Sequence, residues 1–163
     1  MISASKILVP SDFTDASQEA LDYAEELGSR LGAEVDVLHV WQPPRDPDSH
    51  ADLLAEFVQS DAGHKMLDVL GTLEQHAAVE THGRVAKGTR RDVPEAIVDA
   101  VESGHYDLVV MATHGRNRLS LALRRGVADE VIRRAPCPVI TVRATPPPPP
   151  PEVGLPIEVT LPW

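Results

Sequence analysis

The sequence predicts an α/β fold: a doubly wound, five-stranded parallel sheet with helices on both faces and strand order 3-2-1-4-5. Three observations carry this. The runs KILVP, YDLVVM and PVITV are short and predominantly apolar, as strands covered on both faces are. The segments between them repeat apolar residues at helical spacing. A strand, a helix and a second strand follow one another within about 35 residues of the start, the length of a right-handed βαβ unit.

The first strand is Lys6 to Pro10. The helix after it carries Ala16, Ala20, Ala24, Leu27 and Leu31 on one stripe, with Thr14 or Asp15 as its cap and Gly32 at the expected left-handed stop. Glu34 to Val40 alternates and then turns apolar, giving the second strand. QPPRDPDS (42–49) reads as a loop. From His50 to Ala77, Leu53, Phe57, Met66, Leu70, Leu73 and Ala77 recur at helical spacing, with Gly63 able to bend or split the segment. Val79 to Ala86 is the third strand and Gly88 to Asp92 a basic loop. Pro94 then sits in the first turn of a helix that buries Ile97, Ala100 and Val101 and is expected to stop at Gly104. Tyr106 to Met111 is the fourth strand. Leu119 to Ala135 is read as one helix with Leu123, Val127 and Val131 inward, and Pro138 to Val142 as the last strand. The count is five strands and four helices.

The chain has 163 residues, enough for one domain, expected at 1–144, followed by a distinct extension at 145–163. No apolar run approaches the roughly 20 residues of a membrane helix. The start, MISASKILVP, lacks a signal-peptide pattern, so a soluble, cytoplasmic protein is expected. The single cysteine, Cys137, rules out an internal disulfide and a cysteine-based zinc site, and the histidines show no ligand spacing; no metal is expected. A net charge of -10 argues against nucleic acid as the main partner.

The extension obeys its own rules. Of the 15 prolines, eight lie in the last 18 residues, six of them in the uninterrupted run Pro146 to Pro151. Such a run is polyproline II and spans about 19 Å at 3.1 Å per residue. Beyond it, Val153, Leu155, Ile157, Val159, Leu161 and Trp163 occupy every odd position. Pro156 and Pro162 cannot donate to a sheet ladder, so a strand here belongs at an edge or in a groove.

Ligands of a doubly wound sheet bind at the carboxyl ends of the strands, where strand order reverses. Pro10-Ser11-Asp12-Phe13 and Met111-Ala112-Thr113-His114-Gly115-Arg116 lie there. Together, VPSDFTDAS, VLHV, DLVVMATHGR and VADEVIRRAPCPVITVR resemble the universal stress protein family across residues 4 to 143. The resemblance implies a Rossmann-like domain, stress-response regulation, a homodimer joined along the last strand (Pro138 to Arg143), and an adenine-nucleotide site for ATP or AMP. On that resemblance Asp12 lies beside base and ribose, although a helix cap accounts for it equally. Val40 matches the residue whose main chain meets the adenine edge, and it is equally an ordinary sheet valine.

The family's phosphate pattern, Gly-x-x-Gly, nine residues, then Gly-Ser/Thr, lets backbone N–H groups approach phosphate oxygens at a helix N-terminus. Here Ala112 replaces the first glycine, Gly115 is kept, and Arg125-Gly126 stands where Gly-Ser/Thr is expected, followed by Val127. Arg125 either plugs the site or grips an anion with its guanidinium. Residues 116 to 143 carry +5 against -10 for the whole chain, which fits an anion site as well as a solvated helix face.

No catalytic residue stands out. His114 has no partner fixed by spacing, and no P-loop or GxGxxG sequence occurs. The expected function is therefore binding through a weakened or altered nucleotide site. The alternative is an ATP/AMP sensor or slow ATP hydrolase with arginines on the phosphates. The extension is expected to cross the dimer interface, with Glu152 to Trp163 packed on the partner.

Overall fold

A computed structural model describes residues 4–44, 50–76, 79–88, 92–113 and 126–143. Five strands form one sheet: β1 (Lys6–Pro10), β2 (Glu34–Trp41), β3 (Thr81–Lys87), β4 (Leu108–Thr113) and β5 (Val139–Arg143). The helices are α1 (Asp15–Leu31), α2 (His50–Val58), α3 (Asp61–His76), α4 (Val93–Gly104) and α5 (Val127–Arg134). All pairings are parallel and the strand order is β3-β2-β1-β4-β5, as the sequence predicts.

The two faces carry separate cores. Ile7, Val9, Val35 and Val37 pack with Ala20, Leu21 and Ala24 of α1 and with Phe57 and Met66 of α2 and α3. Leu8, Leu38, Val109 and Met111 point the other way, against Ile97 and Val101 of α4 and Val131 of α5. Ile7, Leu8 and Val9 are all fully buried, so three successive residues of β1 reach both cores. Each such side chain contributes about 1.5–3 kcal/mol of burial. Among the described residues no helix is long and apolar enough to cross a membrane.

Helix ends follow local chemistry. Thr14, extended, caps α1 by accepting the Ser17 N–H, and Gly32 closes it in the left-handed region at φ 69°. The segment expected as one helix from His50 is two. The Ser60 hydroxyl accepts the Gly63 N–H (3.1 Å) and donates to the Phe57 carbonyl (2.6 Å), capping α3 while closing α2.

One expected boundary holds and two are corrected. α4 ends at Gly104, as expected, and His105 just beyond it takes the left-handed position at φ 54°. Glycine is required at 104 for space, since a Cβ there would lie 2.3 Å from the Tyr106 ring. β4 begins at Leu108 rather than Tyr106. The last helix does not run from Leu119 through Ala135, because Gly126 is extended (φ -66°, ψ 159°) and α5 starts at Val127.

Tyr106 has another role. Asp36, in the middle of β2, is completely buried on the α4 face. Its Oδ2 accepts from Arg84 Nε of β3 and from the Tyr106 hydroxyl, while Oδ1 has no hydrogen-bond partner among the described residues. The contact with Asp36 raises the Arg84 pKa, and burial, with the same carboxylate, pushes the Tyr106 phenol well above its ordinary range.

Candidate functional site at the sheet's switch point

β1 ends at Pro10, and the chain turns away between β1 and β4, where the strand order reverses. The turn is built from its own side chains. Ser11 N–H still pairs with the Leu38 carbonyl (2.8 Å), continuing the sheet one residue past β1. The Ser11 hydroxyl then accepts the Phe13 N–H at 3.1 Å. Asp12 Oδ1 accepts from Thr14 N–H (3.2 Å) and from the Thr14 hydroxyl (2.6 Å). Asp12 therefore holds the capping threonine rather than capping α1 itself. Phe13 sits at φ 60°, a strained conformation for an aromatic residue.

His39 of β2 stabilises that turn. Its Nδ1 lies 2.9 Å from the Ser11 carbonyl, so Nδ1 carries the hydrogen and donates. Its ring stacks on Phe13 with centroids 4.5 Å apart, and Phe57 of α2 lies on the imidazole at 6.1 Å. Burial pushes the His39 pKa below its ordinary value despite the Ser11 carbonyl. Sequence reasoning set His39 aside among histidines without ligand spacing. Its one available signal was its place in VLHV, one residue before the strand position expected to meet a ligand.

A cavity of about 480 Å³ opens beyond the strand ends. Pro10, Ser11 and Asp12 form one wall; Val40 and Leu38 line it from β2, and Met111, Ala112 and Thr113 from β4. Val93 and Ile97 of α4 and Gly126 to Asp129 at the start of α5 complete it. Eight expected site residues thus meet at one cavity: Pro10, Ser11, Asp12, Val40, Met111, Ala112, Gly126 and Val127. His114, Gly115 and Arg125 lie outside the described residues, as does the extension at 145–163.

The backbone explains why Val40 belongs. Leu38 turns its carbonyl toward β1, where Ser11 meets it. Alternate residues of a strand point the same way, so Val40 directs its N–H and carbonyl to the side that β1 has left. At the opposite wall, Gly126 makes no side-chain capping bond. The first-turn N–H groups of α5 have no partner within the helix and carry the positive end of its dipole. The walls between are apolar. Such a site can take a flat heterocycle against main-chain groups, with a polar, anionic end at the helix.

A model of the universal stress protein family matches residues 4–143. The chain belongs to that family. This universal stress protein is 28% identical over 142 residues to one from Methanocaldococcus jannaschii, covering 85% of the present chain and 81% of the relative. A universal stress protein solved in complex with cAMP superposes with a TM-score of 0.69 at 20% identity, over 86% of this chain and 97% of that one. One from Archaeoglobus fulgidus, solved in complex with dAMP, gives 0.59 at 20% identity, over 86% and 98%. At those identities the likeness is one of fold.

Proposed function

We propose that this universal stress protein binds an adenine nucleotide in the switch-point cavity and acts by binding rather than by turnover. One observation carries the reading. The open side of Val40, the Asp12 turn and the uncapped start of α5 meet around a single cavity of about 480 Å³, within the size of small-molecule sites. Solved neighbours of the same fold with cAMP and dAMP support the ligand class.

The base lies along Val40, the ribose faces Asp12, and the phosphate takes the first-turn amides of α5. Binding without turnover follows from how the polar groups are used. Asp12 holds Thr14, and His39 gives its Nδ1 hydrogen to Ser11. Both groups serve the turn. The phosphate end is altered, because Gly126 brings no hydroxyl to the position where the family has serine or threonine.

Calorimetric titration with AMP, cAMP and ATP tests this. Saturable binding of at least one of them is expected, and Ala112→Phe, which fills the cavity from β4, is expected to abolish it. If none binds at millimolar concentration, or if Ala112→Phe binds as well as the parent chain, the assignment fails. Arg125→Gly in the same titration separates a plug from an anion grip: affinity rises in the first case and falls in the second.

A further inference from the structure

His39 has two ring nitrogens, and the turn after β1 uses one of them. Nδ1 donates to the Ser11 carbonyl at 2.9 Å, which leaves the neutral ring with Nε2 as a bare acceptor. Nε2 has no hydrogen-bond partner among the described residues. Phe13 and Phe57 both stack on the ring, at interplanar angles of 29° and 27°. Even so, the imidazole still lines the cavity, between Ser11 and Val40. The polar atom it has left to offer a ligand there is Nε2.

We propose that the cavity takes its ligand while His39 is neutral, so that binding expels a proton from the imidazolium form and weakens as the solution is acidified. The inference rests on the nucleotide reading above and adds the regulation of that site. Two effects act in the same direction. A neutral Nε2 accepts a hydrogen bond from a ligand hydroxyl or amino group, whereas the imidazolium presents an N–H there and needs water or an acceptor instead. A heterocycle and sugar that fill the cavity also remove the water in contact with the ring, which disfavours its charged form. That second effect extends what the fold has begun, since burial is the largest cause of the lowered His39 pKa.

The charges around the ring divide. Asp12, on the turn, favours the imidazolium, and Lys65 of α3 disfavours it. α2 meets the ring with Phe57, which is neutral. Asp129, which lines the cavity from α5, favours a cation. A phosphate on the first-turn amides of α5 does the same from the opposite wall, without touching the ring. The base and ribose lie along Val40 and Asp12, beside His39, so the loss of water at contact decides the direction.

The test is calorimetric titration of the full chain with cAMP and with adenosine at about pH 7.5, 6.5, 5.5 and 5.0. Neither compound changes charge in that interval, whereas the second ionisation of an AMP phosphate, at about pH 6, falls inside it. Below the folded-state pKa of His39 the dissociation constant is expected to rise by up to about tenfold per pH unit, the slope of a one-proton linkage. Enthalpies taken in two buffers of different ionisation enthalpy are expected to show the matching proton release. His39→Asn keeps an N–H donor for the Ser11 carbonyl but neither titrates nor offers Nε2. It is expected to bind about fivefold more weakly at pH 7.5, the loss of one hydrogen bond, and to hold that affinity to pH 5.0 with no proton released. A residue that only supported the turn would shift affinity without moving the pH profile. A parent affinity that is the same at pH 7.5 and 5.0, or a slope that survives in His39→Asn, overturns the proposal and leaves the nucleotide reading standing. Absence of binding by both compounds at every pH overturns that reading and the proposal with it.

Discussion

Removing one oxygen atom, in Tyr106→Phe, should cost this domain about 2 kcal/mol. The Tyr106 hydroxyl and Arg84 Nε are the two donors to Asp36 Oδ2, the Asp36 side chain is fully buried, and Oδ1 has no hydrogen-bond partner among the described residues. A hydrogen bond to a charged group contributes about 1.5–3 kcal/mol, and its loss leaves a buried carboxylate with fewer donors. Phenylalanine keeps the ring, so packing against α4 changes little. With a urea m-value of about 2 kcal/mol/M, the midpoint should fall by about 1 M. The melting temperature should fall by about 4–8 °C for a domain of this size. The double variant Asp36→Val/Tyr106→Phe removes acceptor and donor together. It should be more stable than Asp36→Val alone, which strands a buried hydroxyl, with a coupling of about 1–2 kcal/mol. A Tyr106→Phe effect under about 0.5 kcal/mol, or strict additivity in the cycle, would refute the reasoning.

Gly104→Ala is expected to cost about 1–3 kcal/mol in the same urea assay although alanine favours helix, because its Cβ would fall 2.3 Å from the Tyr106 ring. Stabilisation by the substitution would show that the ring moves aside freely. His39 predicts a pH dependence. Its folded-state pKa lies below the unfolded value of 6.5. The unfolded chain then binds the extra proton first, so stability present above pH 6.5 is lost as pH falls from 6.5 through the folded pKa. His39→Gln should flatten stability against pH over that interval, measured by denaturant titration at several pH values. A parent slope that survives in His39→Gln would place the titrating group elsewhere.

The strands most legible in the sequence were those covered on both faces. Ile7 to Val9 and Leu108 to Met111 are apolar without interruption, and all are buried. The ends of α1 were legible for a different reason, since threonine and glycine act there through local geometry. Asp36 was opaque. In EVDVLHV it reads as the polar half of an alternation, which presumes one solvated face. Instead α4 covers that face, and the partners that make burial tolerable come 48 and 70 positions later in the chain. No local pattern encodes such pairings. Tyr106 was misread as strand for the same reason. At the candidate site, Pro10 to Asp12 and Met111 to Ala112 were legible because topology puts ligands at strand ends, whereas Val40 and Gly126 were named through the family resemblance; all of them line the cavity. His39 was missed because its role depends on Phe13 and Phe57 closing around it.

The Asp36 cluster also bears on the order in which the protein is made. β1, β2 and β3 leave the ribosome together, with Arg84 in place, and the face that carries Asp36 stays open to water until α4 covers it. The second donor arrives with Tyr106, directly after α4. A nascent chain halted between the two cannot dock α4 without burying an acid short of one donor, and the arrival of Tyr106 removes that obstacle. The two halves are in this sense one cooperative unit during synthesis, joined by a single acid that neither half can satisfy alone.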